Sequence, residues 1–498
     1  MIVLVNPRAT RPGNRRFPLS VMAVGAALPP DVPWTIVDGN LPDADPLGDI
    51  SALIAAHRVS AVAMSVMPGP QLVNAVPLAK ALKTRFPGVP IVWGGYFPSL
   101  YPGPVLQSGY VDWIVRGQGE QTFGELLAVF DGTRDPASVP GLGYRDGATI
   151  HLTPERRWIG PADLPPPPYD RITVADYLRP SYLGRRSGVY QASIGCPYGC
   201  TFCGVISVFG SREKVEPPER TVRHLRYLAE HHGMDAVHFY DNNFFLREDH
   251  AVELAERLLP LGLSWWCEAR IDAMLRFSDR TWRLLRRAGL RMVFYGAESG
   301  SDDVLRRMNK RLTTAETLDV AARARDHGII PEFSFVLGGP EDPAGEIATT
   351  LGFIRRLKQV NPAMELIAYF YTPIPQRRDT YGNVDPLAGT PDTLEGWTSP
   401  EWVNWMTHED PLVPWLPRSL KAQVEDFLLV LRSRFPSLHD RRTKAWGKHV
   451  AQWLAWRRWR NGTYQRPRLL RTIHRLARIP DPDRQAYGHL RPAARQAV

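Results

Sequence analysis

The chain has 498 residues, enough for two or three domains and too many for one ordinary core. It is 44% hydrophobic and 22% charged with no low-complexity tract, which excludes a disordered or fibrous protein. The formal net charge of +10 is uneven: residues 418–498 hold 19 Lys and Arg against 5 Asp and Glu, so the tail carries more than the whole excess. A basic tail suits nucleic acid, anionic lipid or an acidic substrate, but its commoner meaning is a solvated helical face. No nucleic-acid recognition module accompanies it, so no nucleic-acid partner is expected. Four cysteines, three of them clustered, argue against a disulfide framework and for a reducing compartment. Met1–Pro7 is broken by proline too early for a signal peptide, and no apolar run reaches the roughly 18–20 residues of a membrane span. A cytoplasmic protein is the expectation.

Residues 1–145 alternate short apolar runs with helical patterns. Strands are predicted at Ile2–Val5, Trp34–Val37, Ala61–Val66, Pro90–Trp93 and Trp113–Val115, with helices at Ser20–Leu28, Pro46–His57 and Gln71–Phe86 between them. This alternation predicts an α/β, Rossmann-like domain with a parallel sheet and helices on both faces. Ligands in such folds sit beyond the carboxyl ends of the strands. Those ends hold Ser65-Val66-Met67, Gly94-Gly95-Tyr96-Phe97 and Arg116-Gly117-Gln118-Gly119-Glu120-Gln121-Thr122. Glycines there let a large flat ligand or a phosphate approach the backbone.

Residues 146–185 read as a linker, stiffened by Pro165–Pro168, because each proline fixes φ and removes a donor. Strand–helix alternation resumes over residues 186–385. Strands are predicted at Val189–Gly195, Ala236–Tyr240, Leu263–Glu268, Arg291–Ala297, Pro331–Leu337 and Glu365–Tyr371. Helices are predicted at Glu219–His232, Asp249–Leu259, Asp279–Ala288, Thr313–His327 and Pro343–Gln359. Six such repeats make a partial (β/α)6 TIM-type barrel, whose chemistry lies at the strand carboxyl ends.

The sharpest signal follows the first of these strands. Cys196, Cys200 and Cys203 are spaced Cys-x3-Cys-x2-Cys, so one loop can present three thiolates to a metal centre with almost no closure entropy. A zinc knuckle completed by a distant His or by Cys267 is the bland alternative, since structural zinc takes four ligands. Cys267 itself reads as a buried free thiol in mid-strand.

This loop, with an aromatic before its last cysteine, resembles the cluster loop of the radical S-adenosylmethionine (SAM) enzymes. The preceding domain resembles the cobalamin-binding domain of their B12-dependent branch. The chain is also similar to the anaerobic magnesium-protoporphyrin monomethyl ester cyclase group in domain order, length class and the Tyr-x-Tyr-Thr-Pro-Ile-Pro stretch at 369–375. The resemblance implies three cofactors: a 4Fe–4S cluster on Cys196, Cys200 and Cys203, SAM on the open iron, and cobalamin across the barrel mouth. It implies that SAM is held by Phe202, Asn242, Arg270, Glu298, Ser299, Gly338, Gly339 and Tyr371. Arg270 is expected to pair with the SAM carboxylate through two parallel hydrogen bonds. It implies that cobalamin is held by Ser65, Val66, Met67, Gly94, Gly95, Tyr96, Gly117, Gly119, Glu120 and Thr122. Two departures stand out: there is no Asp-x-His-x-x-Gly to supply a lower axial histidine, and Phe97 takes a place where many relatives have His.

The implied function is C-methylation of an unactivated carbon through a deoxyadenosyl radical and methylcobalamin, with oxidative ring formation as the alternative and a non-catalytic metal-bearing scaffold as a remote third reading. An external electron donor of flavodoxin or ferredoxin type goes with it. The many tryptophans suggest a large apolar or planar small-molecule substrate, lipid-like or tetrapyrrole.

Residues 386–498 lose the alternation and read as a mainly helical, basic, Trp-rich domain. Asp385–Asp410 reads as irregular, and Pro417–Ser433 and Lys444–Arg460 as helices. The second helix puts Trp446, Val450, Trp453 and Leu454 on one face and Arg457, Arg458 and Arg460 near its end. The expectation is a Trp face packed on the barrel with cations exposed. The alternative is a helix lying on a membrane surface or roofing an apolar substrate pocket.

Overall fold

The computed structural model describes residues 1–10, 14–375, 381–408, 410–438 and 447–477. Two parallel sheets dominate it. The first is built from β1 (Ile2–Asn6), β2 (Trp34–Asp38), β3 (Ala61–Ser65), β4 (Ile91–Gly94), β5 (Trp113–Val115), β6 (Leu142–Asp146) and β7 (Thr149–Leu152), in the order β2-β1-β3-β4-β5-β6-β7. β1 to β5 run parallel, and their apolar runs are buried as strands covered on both faces must be. β6 and β7 add an antiparallel hairpin that the expected five-strand sheet lacks. Its two-residue turn is Gly147-Ala148, closed by the Asp146–Thr149 pair, with Gly147 at φ +56°.

The second sheet starts at β8 (Ser187–Tyr190). The continuous run Val189–Gly195, expected as one strand, is two: after β8 the chain leaves the barrel to form β9 (Ser193–Cys196), which pairs antiparallel with β10 (Arg212–Val215). The barrel continues with β11 (Ala236–Phe239), β12 (Ser264–Ala269), β13 (Leu290–Glu298), β14 (Ile330–Leu337) and β15 (Glu365–Phe370). These six strands, β8 included, are all parallel and follow chain order across the sheet, an open (β/α)6 barrel.

The two sheets are tied together by polar side chains. Asp38 at the end of β2 accepts from Asn6 Nδ2, from Asn40 and, at 2.9 Å, from the Tyr177 hydroxyl in the connector. Arg16 Nε donates to the Tyr240 hydroxyl at the end of β11 at 2.7 Å. Arg220 fixes the proline-rich stretch by donating to the carbonyls of Ala162 and Leu164.

Asp385–Asp410 departs from its irregular expectation. It contains helices Leu394–Trp397 and Pro400–Met406, which close the core of the first sheet. Trp397 is fully buried, its ring 4.4 Å from that of Tyr101 and 5.4 Å from Phe97. Phe97 therefore serves as core rather than as a place for a ligand.

Helices Arg418–Arg434, Lys448–Arg460 and Arg468–Leu476 complete the described chain. Trp446 lies outside the described residues. The expected inward face is split: the second of these helices buries Ala451 and Ala455, small enough for close helix approach, and packs Leu454 beside them, while Val450 (51% exposed) and Trp453 (53%) face out. Among the described residues no helix is long and apolar enough to cross a membrane.

Candidate active site

The cysteine loop runs from the end of β9 to helix Gly204–Phe209. Gly195 at φ +83° is required here, because a Cβ would lie 2.3 Å from the Arg212 carbonyl oxygen. All four cysteines are free thiols. The loop is held by a neighbouring turn: Asn309 Nδ2 donates to the Gly199 carbonyl at 2.7 Å, and Thr201 N to the Met308 carbonyl at 3.1 Å. Burial raises the Cys196 thiol and pushes Cys203 up to about 12, so without a metal these sulfurs stay protonated. Cys267 lies buried within β12.

Arg270, which follows β12, binds the loop to the barrel. Its Nη1 lies 3.9 Å from Cys200 Sγ, its Nε donates to Asp272 at 2.8 Å, and its Nη2 donates to the Lys310 carbonyl at 2.6 Å. The guanidinium stacks 3.6 Å above the Tyr198 ring. The fork expected to meet a ligand carboxylate is thus largely engaged by protein.

The remaining strand ends converge on the same place. A bulge between Gly296 and Glu298 aims Glu298 from a left-handed conformation, φ +62°, onto Lys310 Nζ at 2.5 Å. Lys310 is buried and stands 5.9 Å from the Phe202 ring. Phe202 and Tyr371 share a small apolar cluster with Met308 and Tyr381. Ser299 turns outward to helix Pro343–Val360, within 3.4 Å of the Thr350 hydroxyl. Gly338 and Gly339 permit a close approach, but protein makes it: a Cβ would lie 2.7 Å from Leu416 Cδ1 and 2.3 Å from the Tyr381 hydroxyl respectively.

After β11 it is the residues flanking Asn242 that point inward. Asp241 and Asn243 are fully buried, and Asp241 Oδ1 and Asn243 Nδ2 have no hydrogen-bond partner. Burial raises Asp241 to about 7. Inside the barrel, burial and the neighbouring Glu332 and Asp241 push Glu268 to about 8. Burial holds Glu332 at about 7 although Trp266 Nε1 donates to it at 3.0 Å.

The first sheet presents its strand ends to this loop. Tyr96, after β4, packs 6.2 Å edge-on to Phe209, and burial with the nearby Cys203 and Glu268 raises its hydroxyl. Gly95 (φ +95°) holds a turn in which a Cβ would press on Val66 at 2.9 Å, and Ser65 Oγ lies just beyond at 3.3 Å. Gly117 (φ +70°) has open space where its Cβ would be, and its N–H donates to Ser99 Oγ. Met67 is 44% exposed at the same edge. Gly94 ends β4 beside Val115, and Gly119 opens helix Gly119–Phe130. Val66, Glu120 and Thr122 are buried in the fold, and Thr122 is occupied by Pro140 and Arg156.

The B12-binding domain family matches residues 10–127, and the Radical SAM superfamily matches residues 190–354. The chain thus carries a B12-binding domain followed by a radical SAM domain. An uncharacterized methyltransferase of Pyrococcus horikoshii is 28% identical over 69% of this chain and 73% of its own length. The anaerobic magnesium-protoporphyrin IX monomethyl ester cyclase of Synechocystis is 27% identical over 56% of this chain, so the match spans about half of that relative, 54%. A solved structure of the radical SAM methyltransferase TsrM from Kitasatospora setae, with cobalamin and a [4Fe–4S] cluster bound, has the same fold. It superposes with a TM-score of 0.65 at 17% identity, covering 96% of this chain and 99% of that one.

Cys196, Cys200 and Cys203 are free thiols on one loop, a donor set that fits an iron–sulfur cluster, whose thiolates bind at separate iron corners. The orphaned Asp241 and Asn243 atoms fit a small polar ligand beside the cluster, and the bare backbone at Gly117 fits a large one in the B12-binding domain. Sequence reasoning singled out the strand end that holds Asp241 and Asn243 but chose only Asn242 from it, and it missed Lys310, Glu268 and Glu332. Asp241 and Asn243 were within reach, since both flank the chosen Asn242; Lys310 had no signal, being placed by the fold alone.

Proposed function

We propose that this chain is a cobalamin-dependent radical SAM methyltransferase acting on an unactivated carbon of a large apolar or planar substrate. The observation that carries this is Tyr96: a strand end of the B12-binding domain lies against the helix that begins beside Cys203. The two cofactor regions would therefore face each other, with the substrate between them. Cys196, Cys200 and Cys203 would hold the cluster, Asn243 and Asp241 with Glu298 would hold SAM, and Gly95, Tyr96 and Gly117 would border the corrin. Together these groups supply reductive cleavage of SAM, hydrogen abstraction and methyl transfer.

The protein's part is positioning and exclusion. Arg270 fixes the cysteine loop, the buried Lys310–Glu298 pair stands beside Phe202, and Phe202 and Tyr371 supply apolar surface there. Anaerobic turnover with candidate substrates tests the reading. Deoxyadenosine and S-adenosylhomocysteine appearing together support methylation. Deoxyadenosine without the second product supports the cyclase alternative, which the similarity to the Synechocystis cyclase favours.

An external electron donor and a peripheral membrane contact belong to the same reading. Val450, Trp453, Trp456, Leu469 and Leu476 are exposed on two helices that hold six arginines, one lysine and no acid. Such a face suits an anionic lipid surface. Cosedimentation with vesicles containing phosphatidylglycerol should fall for Trp453→Ala combined with Trp456→Ala, with little change in melting temperature. Binding that persists unchanged in this variant contradicts the membrane contact.

A further inference from the structure

We propose that the pocket lined by Arg157, Arg212 and Lys214 around Trp158 is where an acidic one-electron carrier protein docks to reduce the cysteine loop's cluster. The inference rests on the cluster assignment above and adds a location and a partner chemistry to it. In the antiparallel pair β9–β10, Arg212 lies directly opposite Cys196, and Lys214 opposite Ile194. Directly opposed residues share a face with Cβ atoms about 5 Å apart. The Arg212 side chain therefore starts beside a cluster ligand. Strand alternation sends Glu213 to the other face, where Asp241 influences it. The face that carries Arg212 and Lys214 is left purely cationic.

Arg157 and Trp158 reach the same place from the segment after β7. The Trp158 indole donates to the Phe209 carbonyl at 3.1 Å, and its ring lies 6.0 Å from that of Phe209, at the end of the helix that follows Cys203. Lys214 Nζ stands 5.5 Å from the Trp158 ring. The pocket encloses about 430 Å³. Among the described residues no carboxylate forms an ion pair with any of the three cations. Three like charges held together without an interleaved acid repel one another, and an acidic partner relieves that repulsion. The next residue, Ile159, exchanges two hydrogen bonds with the Gln118 side chain, in the Gly117–Gly119 turn of the B12-binding domain. One docking surface thus adjoins both cofactor regions.

The position on the ladder favours a carrier over a small anion, since Arg212 stands directly opposite Cys196, a residue assigned to the cluster. Atoms balance simply: the carrier, a reduced flavin or iron–sulfur protein, loses one electron and the cluster gains it, passing from 2+ to 1+. No bond forms or breaks and no proton moves.

The test uses the full-length chain with its reconstituted cluster, reduced anaerobically either by reduced flavodoxin or by dithionite. With Arg157→Glu, Arg212→Glu and Lys214→Glu combined, reduction by flavodoxin should slow by about tenfold or more and lose its salt dependence, because steering of this kind is worth that much in rate. Reduction by dithionite, which needs no docking, should be unchanged. Equal slowing with both reductants would mean a distorted loop and overturn the proposal, as would an unchanged flavodoxin rate. Carbodiimide crosslinking gives a second readout that needs no cluster. Flavodoxin carboxylates should couple to Lys214 in competition with salt but not with inorganic phosphate at equal ionic strength. Absence of that crosslink, or specific displacement by phosphate, overturns the carrier assignment even if the cluster assignment stands.

Discussion

The strand ends of the two parallel sheets are built from opposite materials. In the barrel they carry buried charges that satisfy one another: Arg270 with Asp272, and Lys310 with Glu298 at 2.5 Å. At the ends of β4 and β5 in the B12-binding domain stand glycines instead, Gly95 and Gly117, both at positive φ. Charge held in fixed pairs suits a small, highly polar ligand that must be oriented to the ångström. Bare backbone suits a broad ligand that needs area more than charge. The same parallel topology thus serves two ligands, because its strand-end loops are free to differ while the strands below are not.

The comparison can be broken most completely at the cysteines. Cys196→Ala, Cys200→Ala or Cys203→Ala should each abolish iron–sulfur absorbance and deoxyadenosine formation, while Cys267→Ala retains both. Retained deoxyadenosine in any of the first three would sink the assignment. The next largest effects are on stability. Lys310→Met strands the buried Glu298 and should cost about 3–5 kcal/mol, as removal of one partner of a buried pair does. Trp397→Ala should cost a similar amount, about 3–5 kcal/mol, through the cavity left among Phe97 and Tyr101. Denaturant melts check both, and adding Glu298→Gln to Lys310→Met should recover part of the first loss only.

The pH dependence sharpens the polar side of the contrast. Glu332 and Glu268 keep their protons to about 7 and about 8 when folded, but lose them in the ordinary carboxylate range when unfolded. Between those limits the folded chain binds more protons, so the stability of the cofactor-free chain should fall as pH rises from about 4.5 to about 8 and level off above. Glu332→Gln should flatten that slope in melts across the window; an unchanged slope would show that Glu332 is not protonated there. The smallest effect belongs to glycine. Gly117→Ala meets nothing within 4 Å and should cost only about 1–2 kcal/mol for its positive φ. Its methyl, however, projects into the space assigned to the corrin, so cobalamin retention on gel filtration should drop more than stability does.

Much of this was legible before any fold was known. The apolar runs of β1 to β5 and β11 to β15 announce parallel strands, since strands buried on both faces cannot hide their composition. The break between β8 and β9 was not legible, because Gln191 and Ala192 carry no turn signal; the chain leaves the barrel there to pair with β10, a long-range event. Helix Leu394–Trp397 is too short to show a period, and only Tyr101 and Phe97 reveal what its tryptophan is for. In the site, the cysteine spacing could be read because one loop holds all three ligands. Lys310 could not, since it lies twelve residues after Glu298, a spacing that neither helix nor strand periodicity pairs.

On this reading the two cofactor regions face each other across Tyr96. Pulsed dipolar EPR on the anaerobically reconstituted, full-length chain, with the cluster reduced and cobalamin in its paramagnetic cobalt(II) form, measures that directly. Strong coupling between the two spins, weakened by Tyr96→Trp as the larger ring pushes the corrin away, is the predicted result. Two independent, uncoupled signals from a chain that holds both groups would contradict it.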